Sequence, residues 1–180
     1  MRWLALALLA VAACQAPVAS SPYEPTAESA RSTTDAEKLT KEAADLIGSE
    51  PTRAEELLRD ALAKDLFFGP AHNNLGVLYL GQGKLYEAAG EFEWARKLMP
   101  GHPDPRLNLA LTLDRAGQVD EAVSAYTAAL EVYPGYMPAI QGLARLAVRE
   151  GREDPRLEWW LERIKLEGES SEWKTWARNQ

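Results

Sequence analysis

The chain has 180 residues, enough for one modest domain with a tail, and carries a net charge of −7 from 20 Lys or Arg against 27 Asp or Glu. That sign argues against a phosphate-backbone partner, so no nucleic acid is expected. One cysteine and two histidines exclude an intramolecular disulfide, a multi-cysteine metal cage and a three-histidine zinc site.

The first element is residues 1–13. Arg2 supplies a positive start, and Trp3 to Ala13 is an uncharged apolar run of eleven residues. That length suits a signal-peptide core and falls short of the about 20 residues of a spanning helix. The run ends in the small residues Val11, Ala12 and Ala13, directly before Cys14. Small residues before a cut fit any secretory signal, and a buried helix with an idle cysteine would also suit the composition. With the sole cysteine next in line, the segment resembles the lipobox of bacterial lipoproteins, with Val11 where Leu is commonest. The resemblance implies cleavage before Cys14 and acylation of its thiol. Two or three acyl chains would hold the protein on a bilayer where one would bind marginally. It also implies an outer-membrane address facing the periplasm in a Gram-negative source, since Gln15 stands where Asp would favour inner-membrane retention.

Residues 14–34 are rich in Pro, Ser, Thr and Ala and poor in large apolar side chains. Such a segment cannot bury enough surface to offset its ordering entropy and reads as a flexible tether. Its root-mean-square reach is about 25 Å.

From residue 35 the sequence is periodic. Gly83, Gly117 and Gly151 are 34 residues apart, as are Leu75, Leu109 and Leu143, and Ala61, Ala95 and Ala129. Pro100 and Pro134 keep the interval too. In residues 69–102, Leu75-Gly76, Tyr79, Ala88, Phe92, Ala95 and Pro100 stand at the motif positions of the tetratricopeptide repeat. His72 replaces that motif's opening Trp. Small Gly76 and Ala88 suit a close helix crossing, Gly83 a left-handed cap, and Pro100 a helix stop. Residues 103–136 keep the pattern with Leu109-Ala110, Leu113, Ala122, Tyr126, Ala129 and Pro134. Residues 35–68 and 137–168 are degenerate, as end repeats often are. In the former the first helix fits shifted by one residue, with Leu39, Ala43 and Leu46 inward. In the latter Arg156 and Arg163 replace Ala. The chain thus resembles the tetratricopeptide family over about 130 residues. The resemblance implies an all-α fold, a right-handed superhelical solenoid of antiparallel helix pairs with three to four repeats.

Asp154-Pro155 offers a cap and start for a further helix, with Leu157, Trp160, Leu161 and Ile164 on one apolar face. After a break at 168–171, Trp173, Trp176 and Ala177 define a short capping helix over 169–180, whose tryptophans could equally form a docking surface.

The sequence contains no phosphate loop, no nucleophile elbow and no paired zinc-binding motif, so neither enzyme activity nor a cofactor is expected. His72 reads as a structural histidine, and Glu55-Glu56 and Glu91/Glu93 as solvated helix faces. The resemblance implies that the first helix of each pair lines a concave groove for a partner peptide or protein. On that face stand Asn73, Asn74, Val77, Leu107, Asn108, Leu111, Arg115, Arg145 and Arg149. The amides suit a peptide backbone, Val77, Leu107 and Leu111 an apolar floor, and the three arginines one positive patch for an acidic partner. Chaperone-binding relatives grip a carboxylate with a Lys/Asn/Arg set. Here only Asn108 matches, and Asn73, Val77, Pro138 and Gly142 hold the other places. The resulting expectation is a scaffold of the bacterial cell envelope, anchored to the membrane through acylated Cys14. The alternative is an envelope enzyme or small-molecule-binding lipoprotein with a pocket between the repeats and the Trp-rich tail.

Overall fold

A computed structural model describes residues 31–180; the export signal, Cys14 and most of the tether lie outside the described residues. The described chain is helical throughout. In order the helices are α1 (Thr33–Leu46), α2 (Pro51–Lys64), α3 (Gly69–Gly81), α4 (Leu85–Leu98), α5 (Asp104–Arg115), α6 (Val119–Val132), α7 (Met137–Glu150), α8 (Leu157–Glu167) and α9 (Ser171–Arg178). The pairs α1/α2, α3/α4 and α5/α6 pack most closely, and each pair rests on the next through α2 on α3, α4 on α5 and α6 on α7. The first helices also touch in series, α1 with α3, α3 with α5 and α5 with α7, so they share one face of a solenoid. None of the described helices is long and apolar enough to cross a membrane.

The period of 34 residues has a backbone cause. Gly83, Gly117 and Gly151 have φ of +74°, +74° and +60°, the left-handed region that costs glycine nothing. Each sits at the end of a first helix, where the following N–H returns to a carbonyl five residues back. Lys84 bonds Tyr79, Gln118 bonds Leu113 and Arg152 bonds Ala147, at 2.9 Å in each case. The same cap therefore turns the chain back three times.

The aromatic fillers act in two ways. A Cβ on Gly76 would stand 2.6 Å from the ring of Phe92, so this glycine lets α3 and α4 close on each other. In the next unit the equivalent of Gly76 is Ala110, and the ring of Tyr126 instead occupies the space beside Gly142 on the following helix. Alanine is thus accommodated at 110 because the large ring leans across the repeat boundary. Both rings are fully buried.

The first unit differs from expectation. Helix α1 starts at Thr33, inside the stretch read as tether, capped by Ser32. Its most buried side chains are Ala36, Thr40 and Ala43, while Leu39 and Leu46 are only partly covered. Its start is tied down by Asp65 at the end of α2, whose side chain is 1% exposed. That carboxylate accepts from Arg31 Nε at 2.9 Å, from Thr33 Oγ1 at 2.8 Å and from the Phe67 N–H at 3.1 Å. Burial alone would push the carboxyl up. The hydrogen bonds outweigh it and hold its pKa below the usual carboxylate range. A depressed native pKa contributes stability above the unfolded value of about 3.9, and this is lost as the pH falls through the native value. We therefore expect Asp65→Asn to lower the melting temperature at pH 7. The gap to wild type should narrow below about pH 4. Thermal unfolding at pH 7 and pH 3 checks this, and an equal gap at both would contradict it.

The last unit differs too. Helix α8 begins at Leu157, later than Asp154-Pro155 suggested. Asp154 instead closes a turn by accepting from the Arg156 N–H at 2.8 Å and from its guanidinium. Arg156 is exposed, whereas Arg163 is part-buried. Their guanidinium carbons lie 4.8 Å and 5.5 Å from the rings of Trp160 and Trp159. The expected apolar face of α8 holds, with Trp160 and Ile164 buried against α7. Ser170 caps α9 by accepting from the Trp173 N–H.

Candidate functional site: the shared face of the first helices

The predicted groove residues lie where α3, α5 and α7 adjoin. Asn108 Nδ2 donates to Asn73 Oδ1 at 3.0 Å, and Asn73 Nδ2 reaches Asn74 Oδ1 at 3.4 Å. The amides at 73 and 108 therefore form a rung between successive repeats. Val77, Leu107 and Leu111 are part-exposed beside them and pack against the core beneath. Arg115 Nη1 approaches the Leu80 carbonyl across the same boundary at 3.4 Å.

The arginines are not the free positive patch expected. Arg145 and Arg149 both converge on Asp114, at 3.2 Å and 2.7 Å, and Arg149 also holds Glu150 at 2.6 Å. Asp114 stands at the repeat position of Leu80 and Val148, and its side chain is only 6% exposed. A carboxylate held this deep needs cations, so two of the three arginines serve it. Each arginine side chain nevertheless remains nearly half exposed. Beneath them the Tyr126 hydroxyl is buried beside Arg145, and burial, aided by Asp114 and opposed by Arg145 and Arg149, pushes its pKa up to about 12.

Two other expectations change. Glu91 is not a solvated face residue. Its carboxylate meets His72 Nδ1 at 2.7 Å, while His72 Nε2 faces the Leu66 carbonyl at 2.9 Å. The imidazole is wholly buried and stacks on Trp94 with ring centroids 5.6 Å apart. The spacing of 19 residues joins the start of α3 to the middle of α4, a pairing that a helical wheel of either segment alone does not show. The pocket between the repeats and the tail, bounded by Val123, Leu143, Arg152, Asp154 and Trp160, has a volume of about 120 Å³. Sites for drug-sized ligands run to about 300 Å³ and more, so the small-molecule alternative gains nothing there. Among the described residues no group of His, Cys, Asp and Glu could hold a metal ion.

A further feature not read from the sequence is a cleft of about 450 Å³ between α4, α5 and α6. Ala89, Leu109, Leu113, Ala125 and Ala128 line it, with Glu93, Arg96, Arg106 and Glu121 at its edge. The signal was available in the small residues that α4 and α6 turn toward each other.

Comparison with known proteins places this geometry. Residues 79–146 match the family model of the tetratricopeptide repeat. The fold is that of a tetratricopeptide-type solenoid. The tetratricopeptide protein from Parabacteroides merdae superposes with a TM-score of 0.68 at 21% identity, covering 81% of this chain and 58% of that one. The first tetratricopeptide domain of Spaghetti, bound to an HSP90 peptide, gives 0.64 at 15% identity, covering 68% and 98%. The Sgt2 tetratricopeptide domain from Aspergillus fumigatus gives 0.63 at 22%, covering 72% and 91%. No curated protein matches the sequence. This chain shares the architecture of those domains.

Proposed function

We propose that this protein is a lipid-anchored scaffold of the bacterial cell envelope that binds a protein or peptide segment along the shared face of α3, α5 and α7. The observation that carries the reading is the Asn73–Asn108 rung beside part-exposed Val77, Leu107 and Leu111. An amide side chain offers two donors and two lone pairs, and one rung uses only part of that capacity. The remainder faces a partner's backbone, with an apolar strip alongside for its side chains. The Spaghetti domain, seen with a bound peptide, supports peptide binding as a use of this architecture. Its likeness does not extend to a carboxylate clamp here, because Pro138 and Gly142 carry no cation. The internal pairing of Arg145 and Arg149 leaves Arg115 as the main attraction for an acidic segment.

A second reading is favoured by the cleft between α4 and α6, whose apolar floor and charged edge would also admit a helix. Capture from detergent-solubilised envelopes, followed by charge substitutions on each face, separates the two sites.

The anchor rests on Cys14 and the residues before it. Cys14→Ser is expected to abolish incorporation of a labelled fatty acid and to release the protein from membranes or leave it uncleaved. Unchanged mass and unchanged membrane retention would contradict the anchor. The envelope location, at the outer membrane of a Gram-negative cell through Gln15, belongs to the same proposal and is checked by fractionation.

A further inference from the structure

We propose that Gln141 and Arg145 form a third, covered station of the same groove, which accepts an uncharged peptide carbonyl when α9 lifts away; the inference rests on the groove reading. The repeat register puts Gln141 at the position of Asn73 and Leu107, and Arg145 at that of Val77 and Leu111. The first two stations are part-exposed, yet Gln141 is only 3% exposed. The C-terminus lies beside it, against Arg145. Trp173 of α9 holds its ring 5.9 Å from the Arg145 guanidinium carbon, and Trp173 and Trp176 pack against the cluster that contains Ile140 and Ala144.

On this face Gln141 Nε2 has no acceptor in the protein, and Arg145 Nε has only the buried Tyr126 hydroxyl beside it. A buried donor without an acceptor is costly and is normally avoided. The two lie one helical turn apart on one face of α7, so a single oxygen-bearing group could meet both. The charge balance selects the kind of oxygen. Asp114 and Glu150 already match Arg145 and Arg149, so a further carboxylate would enter a site with no net positive charge. An amide carbonyl has no such requirement, and the Asn73–Asn108 rung alongside suits the same ligand.

The cover is built to open. Helix α9 has eight residues, and its principal packing partner is α8. So short a helix holds no stability of its own, and local opening is drawn from such weakly packed segments. A peptide running past Asn73 and Asn108 would meet α9 at the third station and displace it.

The test uses the full-length chain with Cys14→Ser, so that an added thiol is the only one. Gln141→Cys should react with a thiol reagent at least tenfold more slowly than Asn73→Cys. Adding Trp173→Ala should raise the rate at 141 at least tenfold and leave the rate at 73 unchanged. In the Trp173→Ala protein with Gln141 intact, N-acetyl-trialanine amide should shift the NMR signals of the Gln141 side-chain amide and Arg145 Nε–H, whereas acetate should not. Equal labelling at 141 and 73 with α9 intact would overturn the cover. No response to the peptide, or a response to acetate alone, would overturn the carbonyl station. Should Trp173→Ala fail to fold, hydrogen exchange in the unaltered protein decides. Amides of α9 should exchange at least tenfold faster than those of α7, and equal rates would overturn the proposal. No protein partner enters these measurements, so they can fail or succeed independently of the capture experiment.

Discussion

Replacing His72 by alanine is expected to destabilise the protein by about 2–5 kcal/mol, the range for truncating a large buried side chain to alanine. Three contacts go together. The Nε2–H donation to the Leu66 carbonyl is lost, so is the 2.7 Å contact of Nδ1 with Glu91, and the ring no longer stacks on Trp94. The substitution also opens a cavity between α3 and α4 where no exposed surface remains on His72. The partner test is sharper than the single variant. In the His72→Leu/Glu91→Leu double variant the polar pair is replaced by apolar groups, which is often close to neutral. Urea unfolding of wild type, both single variants and the double variant gives the coupling. Simple additivity of the two single losses would show that the pair does not act as a unit.

Gly76→Leu is expected to cost about 1–3 kcal/mol or more, because overpacking a filled crossing forces rotamers and backbone to shift. Even the first added carbon would stand 2.6 Å from Phe92 Cε1, inside any ordinary contact. Phe92 is fully buried and cannot swing into solvent. The same substitution at Gly90, where an added Cβ meets nothing within 4 Å, serves as control. That control should lose little. A melting temperature unchanged by Gly76→Leu would mean that α3 and α4 do not cross at this residue.

Much of this fold was legible because its repeat is written in backbone requirements. Gly83, Gly117 and Gly151 must occupy left-handed conformations, and their spacing alone locates three helix ends. Gly76 and Phe92 likewise announce a close crossing. What escaped notice depends on contacts between elements. Nothing in the pattern of α4 shows that Glu91 turns inward, because its reason is an imidazole 19 residues earlier. By register Asn73 and Asn108 fall close together, and their side chains meet at 3.0 Å. The internal pairing of the arginines is not legible there, because nothing in the register shows that Asp114 is buried. Its burial, at 6% side-chain exposure, is what draws Arg145 and Arg149 together. The ends were least legible. Arg31 and Thr33 fasten α1 through Asp65, a tertiary tie that composition reads as tether.

The central claim is that the face shared by α3, α5 and α7 binds the partner. The most direct test takes the protein captured by wild type and measures its affinity for two full-length double variants. One is Leu107→Glu/Leu111→Glu on the shared face, and the other is Leu113→Glu/Ala125→Glu in the cleft between α4 and α6. Both are first checked for unchanged helical content. The account predicts at least tenfold weaker binding by the first, about 1.4 kcal/mol, and affinity near wild type for the second. Undiminished binding by the first together with loss in the second would contradict it and move the interface to the cleft between α4 and α6.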